Sequence, residues 1–340
     1  MPPSAKRLNV LITAASRRVP LVTAFRRSLD ELGIAGSIIV TDINPLSPAV
    51  YSADRAWWAP MADEPDYVDA LMSICDAESI GLLVPTIDDE LPVVGGARDR
   101  FARLGTRVAA SDRVVAEVCN DKYETCRQLT RHGIAAAESF LPSELPSAPA
   151  FPLFVKPRRG CGGVGAFAAR NSKELDFFLT YVQEPVVQQY LDGAEYTIDM
   201  LCDFDGRPLS VVPRERIVIR AGVTDRGRTV RNPALVELAL ACARVLRFVG
   251  AVNIQCRIVR GQPVVFEINP RFSGGIPLTI AAGADFPAML IRLASGDDVP
   301  AMLGSFAPDV WMTNSETPLF LRTHQIARLV PGRALIKEVA

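Results

Sequence analysis

The sequence predicts an α/β protein whose N-terminal third is a doubly wound parallel sheet and whose remainder is an α+β unit of two lobes. Three observations support this fold class. Short apolar runs alternate with helical patterns over the first hundred residues, a glycine-rich hairpin lies near residue 160, and a buried strand near residue 267 ends in polar side chains. We expect domains at residues 1–110, 111–190 and 191–340.

The N-terminal alternation predicts three strands and two helices. Continuous apolar runs predict strands at 8–13, 36–42 and 80–86, and helical periodicity predicts helices at 19–32 and 66–77. This order is typical of a parallel sheet with helices on both faces. Ligands of such sheets bind beyond the carboxyl ends of the strands, so the loops that follow the strands are candidate binding loops.

Those loops carry side chains suited to two small-molecule groups. Ser16, Arg17 and Arg18 precede a helix, where anions are favoured, so we assign them to carboxylate recognition. Asp88 and Glu90 follow another strand and are candidates to hold an amine. A solvated helix start and a charged helix cap remain equal alternatives for the two groups.

A long helical stretch at 111–133 is predicted to start at Ser111, to stop at Gly133, and to break or restart near Lys122. Four prolines at 139–152 then indicate a linker or an edge.

A strand at 151–157 delivers Lys156 into a glycine-rich tip, and the chain returns in a strand at 166–170. Glycines let a backbone bend over phosphates and donate N–H groups, while the lysine supplies charge. The glycines of this tip are Gly160, Gly162, Gly163 and Gly165, with Cys161 interpreted as a small residue and a reactive thiol as the alternative.

The strand at 264–271 (V-V-F-E-I-N-P-R) is the most informative segment. Alternation places Glu267, Asn269 and Arg271 on one face and sends Phe266 and Ile268 into the core. Carboxylate and amide oxygens suit magnesium, and the arginine suits phosphate.

A neighbouring strand at 251–259 and a three-residue turn at 260–262 predict a hairpin. If Val259 faces Pro263, then Gln255 falls opposite Glu267 as a third oxygen donor. The small residues from Ser273 onward let backbone approach a ligand, and we assign Ser273 to substrate binding.

A further strand at 213–220, P-R-E-R-I-V-I-R, is rich in arginine and is predicted to align Arg214, Arg216 and Arg220 on one face. Guanidinium groups bind phosphoryl oxygens and stabilise developing negative charge, so we assign catalytic roles to Arg214, Arg216 and Arg271. Exposed salt bridges are the alternative. The loop at 222–227 is predicted to be a lid that excludes water.

Together these ordered motifs resemble the ATP-grasp superfamily over about residues 8–300, closest to single-gene proteins similar to the carbamoyl phosphate synthetase large subunit. The resemblance implies a two-lobed ATP-grasp fold behind a pre-ATP-grasp domain. It also implies ATP and two Mg²⁺ ions, with Mn²⁺ as an alternative, on Glu267, Asn269 and Gln255. Here Gln255 stands where many members carry an acid.

The resemblance further implies nucleotide contacts along the middle of the chain. Lys122 and Lys156 would contact phosphates, Gln188 the adenine amine, and Glu195 the ribose hydroxyls. The backbone of Tyr190 and Leu191 would meet the adenine ring edge.

Composition limits the other classes of function. The net charge of −1 and scattered cations argue against nucleic acid and membrane partners. The segment A-A-S-R-R-V lacks the glycines of a dinucleotide site, although Asp42 sits where a ribose acid could. Seven cysteines without a C-x-x-C pair indicate reduced thiols, and the N-terminus shows no signal-peptide core, so we expect a cytoplasmic protein.

The resulting hypothesis is an ATP-dependent carboxylate–amine ligase. It would form an amide through an acyl phosphate, release ADP and phosphate, and act on small-molecule carboxylates and amines. A carboxyphosphate or carbamate kinase step and a non-catalytic nucleotide-binding protein remain the alternatives. For the tail at 300–340, closing the substrate pocket and forming a homodimer contact are equal interpretations.

Overall fold

The computed structural model describes residues 6–160, 162–326 and 334–336, the last range by its backbone alone. Cys161 lies outside the described residues. The N-terminal elements are β1 (Asn9–Ile12), α1 (Val19–Glu31), β2 (Ile38–Asp42), α2 (Pro48–Ser52), β3 (Arg55–Trp58), α3 (Tyr67–Ala77), β4 (Ile80–Val84), α4 (Leu91–Gly96), α5 (Arg98–Arg103) and β5 (Arg107–Val108).

These N-terminal strands form the predicted doubly wound sheet. The strand order is β3-β2-β1-β4-β5, and these five strands are parallel. From β1 the sheet extends through β2 and β3 on one side and through β4 and β5 on the other. Helices cover both faces, which explains why β1 and β2 are buried along their whole length. All five elements predicted here are present, so the fold class is confirmed, while α2, β3, α4, α5 and β5 were not predicted because they are short.

The small lobe follows, with α6 (Arg113–Asn120), α7 (Lys122–Arg131), β6 (Ser139–Phe140), β7 (Leu153–Pro157), β8 (Phe167–Ala169), α8 (Ser172–Tyr181) and β9 (Pro185–Gln189). The predicted helix break is confirmed: Asp121 caps α7 and accepts hydrogen bonds from two backbone N–H groups. The predicted cap at Ser111 is wrong, because Asp112 caps α6 while the Ser111 hydroxyl accepts from the backbone N–H of Val249.

The large lobe contains β10 (Glu195–Cys202), β11 (Pro208–Arg220), β12 (Val223–Thr229), α9 (Pro233–Leu246), β13 (Gly250–Val259), β14 (Gln262–Asn269), α10 (Ile276–Ala281), α11 (Phe286–Ala294) and β15 (Trp311–Thr313). Its antiparallel sheet has the order β14-β13-β10-β11-β12-β15. The amphipathic α9 packs its apolar face on this sheet and buries residues such as Leu235 and Cys242.

The β13–β14 hairpin reaches the predicted pairing by a different register. Gln255 does lie opposite Glu267, but Val259 pairs with Gln262 and not with Pro263. The turn has two residues, Arg260 and Gly261, both with positive φ, and Phe266 is an extra bulged residue. The bulge offsets the shorter turn, so two errors in the prediction cancelled.

The β11–β12 hairpin corrects two further expectations. The predicted lid at 222–227 is mostly strand β12, joined to β11 by a two-residue turn at Ala221 and Gly222. Register shifts after Arg216 turn Arg220 away from the other two arginines; its side chain is 68% exposed and pairs with Glu316.

The tail adds strands to two sheets. β15 pairs with β12 at one edge of the large sheet, and β16 (Ala334–Ile336) pairs antiparallel with β3 in the N-terminal sheet. Within the described part of the chain, no helix combines the length and apolar character needed to cross a membrane.

Candidate nucleotide and metal site

A cavity of about 220 Å³ lies between the small and large sheets, and we call it the lobe cavity. Among the described residues, its charged lining is mainly cationic. Two carboxylates, Glu195 and Glu267, face five cations, which are Lys122, Lys156, Arg159, Arg216 and Arg257. Such an excess of positive charge favours a polyanionic ligand.

Lys156 is the most deeply placed of these cations. It comes from β7, is 5% exposed, and its ammonium donates to the backbone carbonyl of Phe266 at 3.3 Å. The same nitrogen lies 5.3 Å from the centre of the Phe266 ring, which lines the lobe cavity and also packs against the core cluster of Cys126, Ala137 and Leu191. Burial lowers the pKa of Lys156, partly offset by the nearby Glu267 carboxylate.

The glycine-rich tip forms one wall of the lobe cavity. Gly160, Gly162 and Gly163 all line it with positive φ. Lys122, the first residue of α7, donates from its ammonium to the carbonyl of Gly160 and is 7% exposed. The structure therefore places both predicted phosphate lysines in the lobe cavity, with Lys122 against the tip.

Two hairpins touch over the cavity. A Cβ on Gly222, in the β11–β12 turn, would lie 2.5 Å from the Cα of Gly162 in the glycine-rich tip. Arg216 secures the turn by donating to the carbonyl of Gly222 at 2.6 Å. The cavity is thus covered by a glycine-to-glycine contact that tolerates no side chain at Gly222.

The hinge between the lobes lines the far end of the cavity. Gln188 on β9 is 2% exposed, and its side-chain nitrogen donates to Ser139 at 2.9 Å and to the sulfur of Cys126 at 3.3 Å. Tyr190 and Leu191 follow it along the same wall. All three residues predicted near the adenine are therefore brought together.

Glu195 is held between two arginines. Its carboxylate accepts from Arg216 at 2.7 Å and from Arg257 at 2.6 Å. Burial lowers the pKa of Arg216, which the Glu195 carboxylate partly offsets, and the Nε of Arg216 is buried without a partner among the described residues. A buried donor without an acceptor is costly, and a bound anion would satisfy it.

The predicted metal residues meet at the end of the lobe cavity. Glu267 and Asn269 line a smaller junction cavity of about 40 Å³, together with Asp88, Asp89, Cys119, Asn120, Lys122, Arg159 and Gly160. Their side chains lie 3.2 Å apart, from the amide nitrogen of Asn269 to the carboxylate of Glu267. Adjacent carboxylate and amide oxygens fit Mg²⁺.

Gln255 fits the metal role less well than its neighbours. Its side-chain oxygen accepts from Arg216 at 2.9 Å, so that oxygen faces a guanidinium cation. No group of three or more His, Cys, Asp or Glu side chains suitable for a metal occurs among the described residues. The oxygen of Asn269 faces Arg271 at the longer distance of 3.4 Å, so Glu267 and Asn269 are the better placed of the three predicted metal ligands.

Arg214 takes a different place from its predicted one. Its guanidinium is 1% exposed and binds the equally buried carboxylate of Asp199 at 2.7 and 3.1 Å. It also donates to the hydroxyl of Ser273 at 3.0 Å, and Thr279 donates to Asp199. The anion of Arg214 is thus supplied by the chain itself, so we correct its role from phosphate contact to support of the loop after β14.

The predicted N-terminal binding residues do not lie in one cavity. Ser16 lines an N-terminal cavity of about 900 Å³ at the carboxyl edge of the parallel sheet, and Asp88 lines the junction cavity. Arg17 is exposed outside the three cavities described here, and Arg18 donates to the carbonyls of Thr86 and Phe272.

The role predicted for Glu90 is corrected to a structural one. Glu90 is fully buried, and its carboxylate accepts from the backbone of Thr86 at 2.7 Å and Ile87 at 3.1 Å and from the hydroxyl of Tyr67. Burial raises the pKa of Glu90. Because its carboxylate is used by these contacts, Glu90 stabilises the loop at Thr86 and Ile87 and does not bind a ligand.

Three residues of the site were not predicted. Arg159 lines all three cavities, Arg257 pairs with Glu195, and Asp199 pairs with Arg214. Arg159 lies one residue before Gly160, so its place beside the glycine-rich tip was the available signal. The partners of the other two are distant in sequence and become visible only in the fold.

Comparisons with known proteins agree with this architecture. Residues 182–316 match the family model described as ATP-grasp in the biosynthetic pathway with Ter operon. Residues 10–109 match the model for the PylC-like N-terminal domain. The chain therefore carries an ATP-grasp domain preceded by a PylC-like N-terminal domain, which confirms the predicted resemblance.

A curated relative and two solved structures illustrate the likeness. The arginine-specific large chain of carbamoyl phosphate synthase from Bacillus subtilis (strain 168) is 23% identical over 271 residues, covering 74% of this chain and 25% of that relative. This chain thus spans about a quarter of that relative's length.

The L-amino acid ligase from Bacillus licheniformis superposes with a TM-score of 0.68 at 17% identity, covering 90% of this chain and 78% of that chain. The biotin carboxylase domain dimer of Hydrogenobacter thermophilus 2-oxoglutarate carboxylase, in complex with MgADP, ADP and bicarbonate, gives a TM-score of 0.67 at 17% identity, covering 89% and 73%. At this identity the structures establish the shared fold. The confirmed ATP-grasp resemblance rests on the family model over residues 182–316.

Proposed function

We propose that this chain is an ATP-dependent carboxylate–amine ligase that works through an acyl phosphate and releases ADP and phosphate. The observation that carries the proposal is that the three cavities adjoin one another and share lining residues. The lobe and junction cavities share Lys122, Arg159, Gly160 and Glu267, and the junction and N-terminal cavities share Asp89, Asn120 and Arg159. A nucleotide between the lobes would therefore present its terminal phosphate toward a second ligand.

The reaction requires two displacements. A carboxylate oxygen attacks the γ-phosphorus, and the bond from that phosphorus to the ADP oxygen breaks. The amine then attacks the acyl carbon, phosphate leaves with the electrons of the C–O bond, and the nitrogen loses a proton. No nucleophilic side chain is needed, so catalysis rests on positioning and charge.

The residues at the lobe cavity divide this work. Lys122, Lys156 and Arg216 would neutralise phosphate oxygens, and Gln188 and Glu195 would position the adenosine. Bound Mg²⁺, held by Glu267 and Asn269, would supply positive charge on the phosphoryl oxygens. The number of ions, and Mn²⁺ as a substitute, are part of the proposal.

The size of the N-terminal cavity favours this function over a bicarbonate-dependent kinase step. About 900 Å³ far exceeds the needs of a four-atom anion, whereas it suits an organic acid or amine. The paired Glu267 and Asn269 favour an enzyme over a protein that only binds the nucleotide, because simple retention of ATP does not require a metal site at the terminal phosphate.

The test is a product analysis. The protein is incubated with ATP, Mg²⁺, bicarbonate and a pool of amino acids and small carboxylates, and ADP, AMP and new masses are quantified. ADP with a condensed mass, lost in Glu267→Gln, supports the ligase. AMP supports adenylation instead, bicarbonate-only ADP release supports the kinase step, and no turnover above the ATP-only blank contradicts the proposal.

A further inference from the structure

The N-terminal cavity carries charges of both signs. It is lined by four carboxylates, Asp42, Asp63, Asp89 and Glu117, and its cation, Arg159, lies together with Asp89 at the passage to the junction cavity. Ile43, Met61 and Pro92 add apolar surface between the charged groups.

Two of the carboxylates are already used within the chain. Asp42 accepts from the backbone of Ser16 at 2.8 Å and of Asn44 at 2.9 Å. Glu117 pairs with Arg113 at 2.7 Å. By contrast, Asp63 and Asp89 are exposed to the cavity and make no hydrogen bond or ion pair with another described residue. Their charge is therefore available to a ligand.

Arg159 is also available to a ligand. Its guanidinium is 64% exposed and forms a long ion pair of 3.8 Å with Asp121, whose two carboxylate oxygens also accept from the Nε of Arg158 at 2.8 and 2.9 Å. Since Arg159 lines all three cavities, an anion bound to it would lie on the route from the N-terminal cavity to the terminal phosphate. A fork-shaped donor at this point suits a carboxylate.

We infer that the carboxylate substrate is an amino acid with an aliphatic skeleton, its carboxylate at Arg159 and its ammonium at Asp89 and Asp63. This inference rests on the proposed ligase function and assigns the substrate class of the same site. It explains why a cation and an unpaired carboxylate, Arg159 and Asp89, lie together at the inner end of the cavity, and why a second unpaired carboxylate, Asp63, lines the same cavity. A deaminated acid of the same skeleton would leave both carboxylates without a partner and would bind poorly.

The test uses hydroxylamine as the nucleophile, because it captures an acyl phosphate as a stable hydroxamate without knowledge of the natural amine. Paired probes are L-norleucine against hexanoate and L-alanine against propanoate, each with MgATP. We expect hydroxamate from amino acids and at least about tenfold lower kcat/KM for the deaminated partners. Equal use of both members of a pair would overturn the inference.

Substitutions test which side chains bind the ammonium and the carboxylate of the amino acid. Asp63→Asn and Asp89→Asn should raise the KM for the amino acid about tenfold and leave the KM for ATP unchanged, whereas Asp66→Asn, an exposed carboxylate outside the cavity lining, should change neither. Arg159→Gln should raise the KM for amino and deaminated acids alike, with partial rescue in Arg159→Lys.

Two outcomes separate this inference from the function on which it rests. Hydroxamate from neutral carboxylic acids alone retains the ligase and overturns the amino acid assignment. Absence of hydroxamate with every probe overturns the assignment as well, and the product analysis of the pooled acids then decides whether the ligase function fails with it.

Discussion

Arg271 and Asp88 form a two-pronged ion pair across 183 residues of sequence, with hydrogen bonds of 2.9 and 2.6 Å. Both side chains are largely buried, at 12% and 14% exposure. The pair ties the end of β14 to the loop after β4, so the large lobe and the N-terminal sheet are joined at the junction cavity.

Breaking this pair should affect both stability and catalysis. Asp88→Ala leaves a largely buried guanidinium without its anion, so we expect the free energy of unfolding to fall by about 2 kcal/mol in urea titration. We also expect kcat to fall more than the KM for ATP rises, since Arg271 loses its orientation. Asp88→Asn keeps one acceptor, so its free energy of unfolding and its kcat should lie between those of the wild type and of Asp88→Ala. Wild-type stability and kcat in Asp88→Ala would contradict the role assigned to the pair.

The contact between Gly162 and Gly222 predicts a strong effect of a single methyl group. Gly222→Ala places Cβ against backbone, which cannot yield as a side chain can, so we expect the KM for ATP to rise roughly tenfold. Gly261→Ala is the matched control, because Gly261 also occupies a two-residue hairpin turn with positive φ but has open space around it. Equal effects of the two substitutions would show that backbone strain, and not closure over the cavity, is responsible.

Lys156 predicts a pH dependence of nucleotide binding. Its pKa is lowered in the free protein by burial, and nucleotide phosphates favour the protonated form. At a pH below the lowered pKa, Lys156 is already protonated, so nucleotide binding takes up no proton there. As the pH rises above the lowered pKa toward the ordinary value of 10.5, the affinity for the nucleotide should fall by up to about tenfold per pH unit.

Calorimetry in buffers of different ionisation enthalpy measures this proton uptake directly. Lys156→Arg keeps the charge throughout that range and should remove the uptake. If the uptake persists in Lys156→Arg, another group is responsible and the assignment of Lys156 is wrong.

The buried pair of Asp199 and Arg214 predicts a context-dependent loss of stability. Asp199→Ala leaves a guanidinium that is 1% exposed without its anion, so we expect a loss of about 3–5 kcal/mol in urea unfolding. The double variant Asp199→Ala, Arg214→Met removes the uncompensated charge and should recover much of that loss. No recovery in the double variant would mean that the damage comes from Thr279 or Ser273 instead.

The site was predictable where function is encoded in local sequence. Alternation within one strand put Glu267 beside Asn269, and the order of glycines around residue 160 indicated a phosphate-binding tip. The pairing of Gln255 with Glu267 also followed from the hairpin, although the bulge at Phe266 was invisible because nothing in V-V-F-E-I-N distinguishes a bulged from a regular strand.

The remainder depended on partners distant in sequence. Arg214 and Glu90 have the residue types of catalytic groups, yet Asp199 and the Thr86–Ile87 backbone consume their charges. Burial and pairing of this kind arise from the packing of separate elements, so sequence patterns alone cannot distinguish a buried structural charge from one that faces a ligand.

The most direct test of the acyl phosphate route follows one oxygen atom. The acid found by the product analysis is prepared with ¹⁸O in its carboxylate and converted with unlabelled ATP, Mg²⁺ and its amine, and the phosphate products are examined by mass spectrometry. We predict one ¹⁸O atom in the released inorganic phosphate, because the carboxylate oxygen that attacks phosphorus leaves with it. Label in AMP, or amide formation with no label in phosphate, would contradict the account.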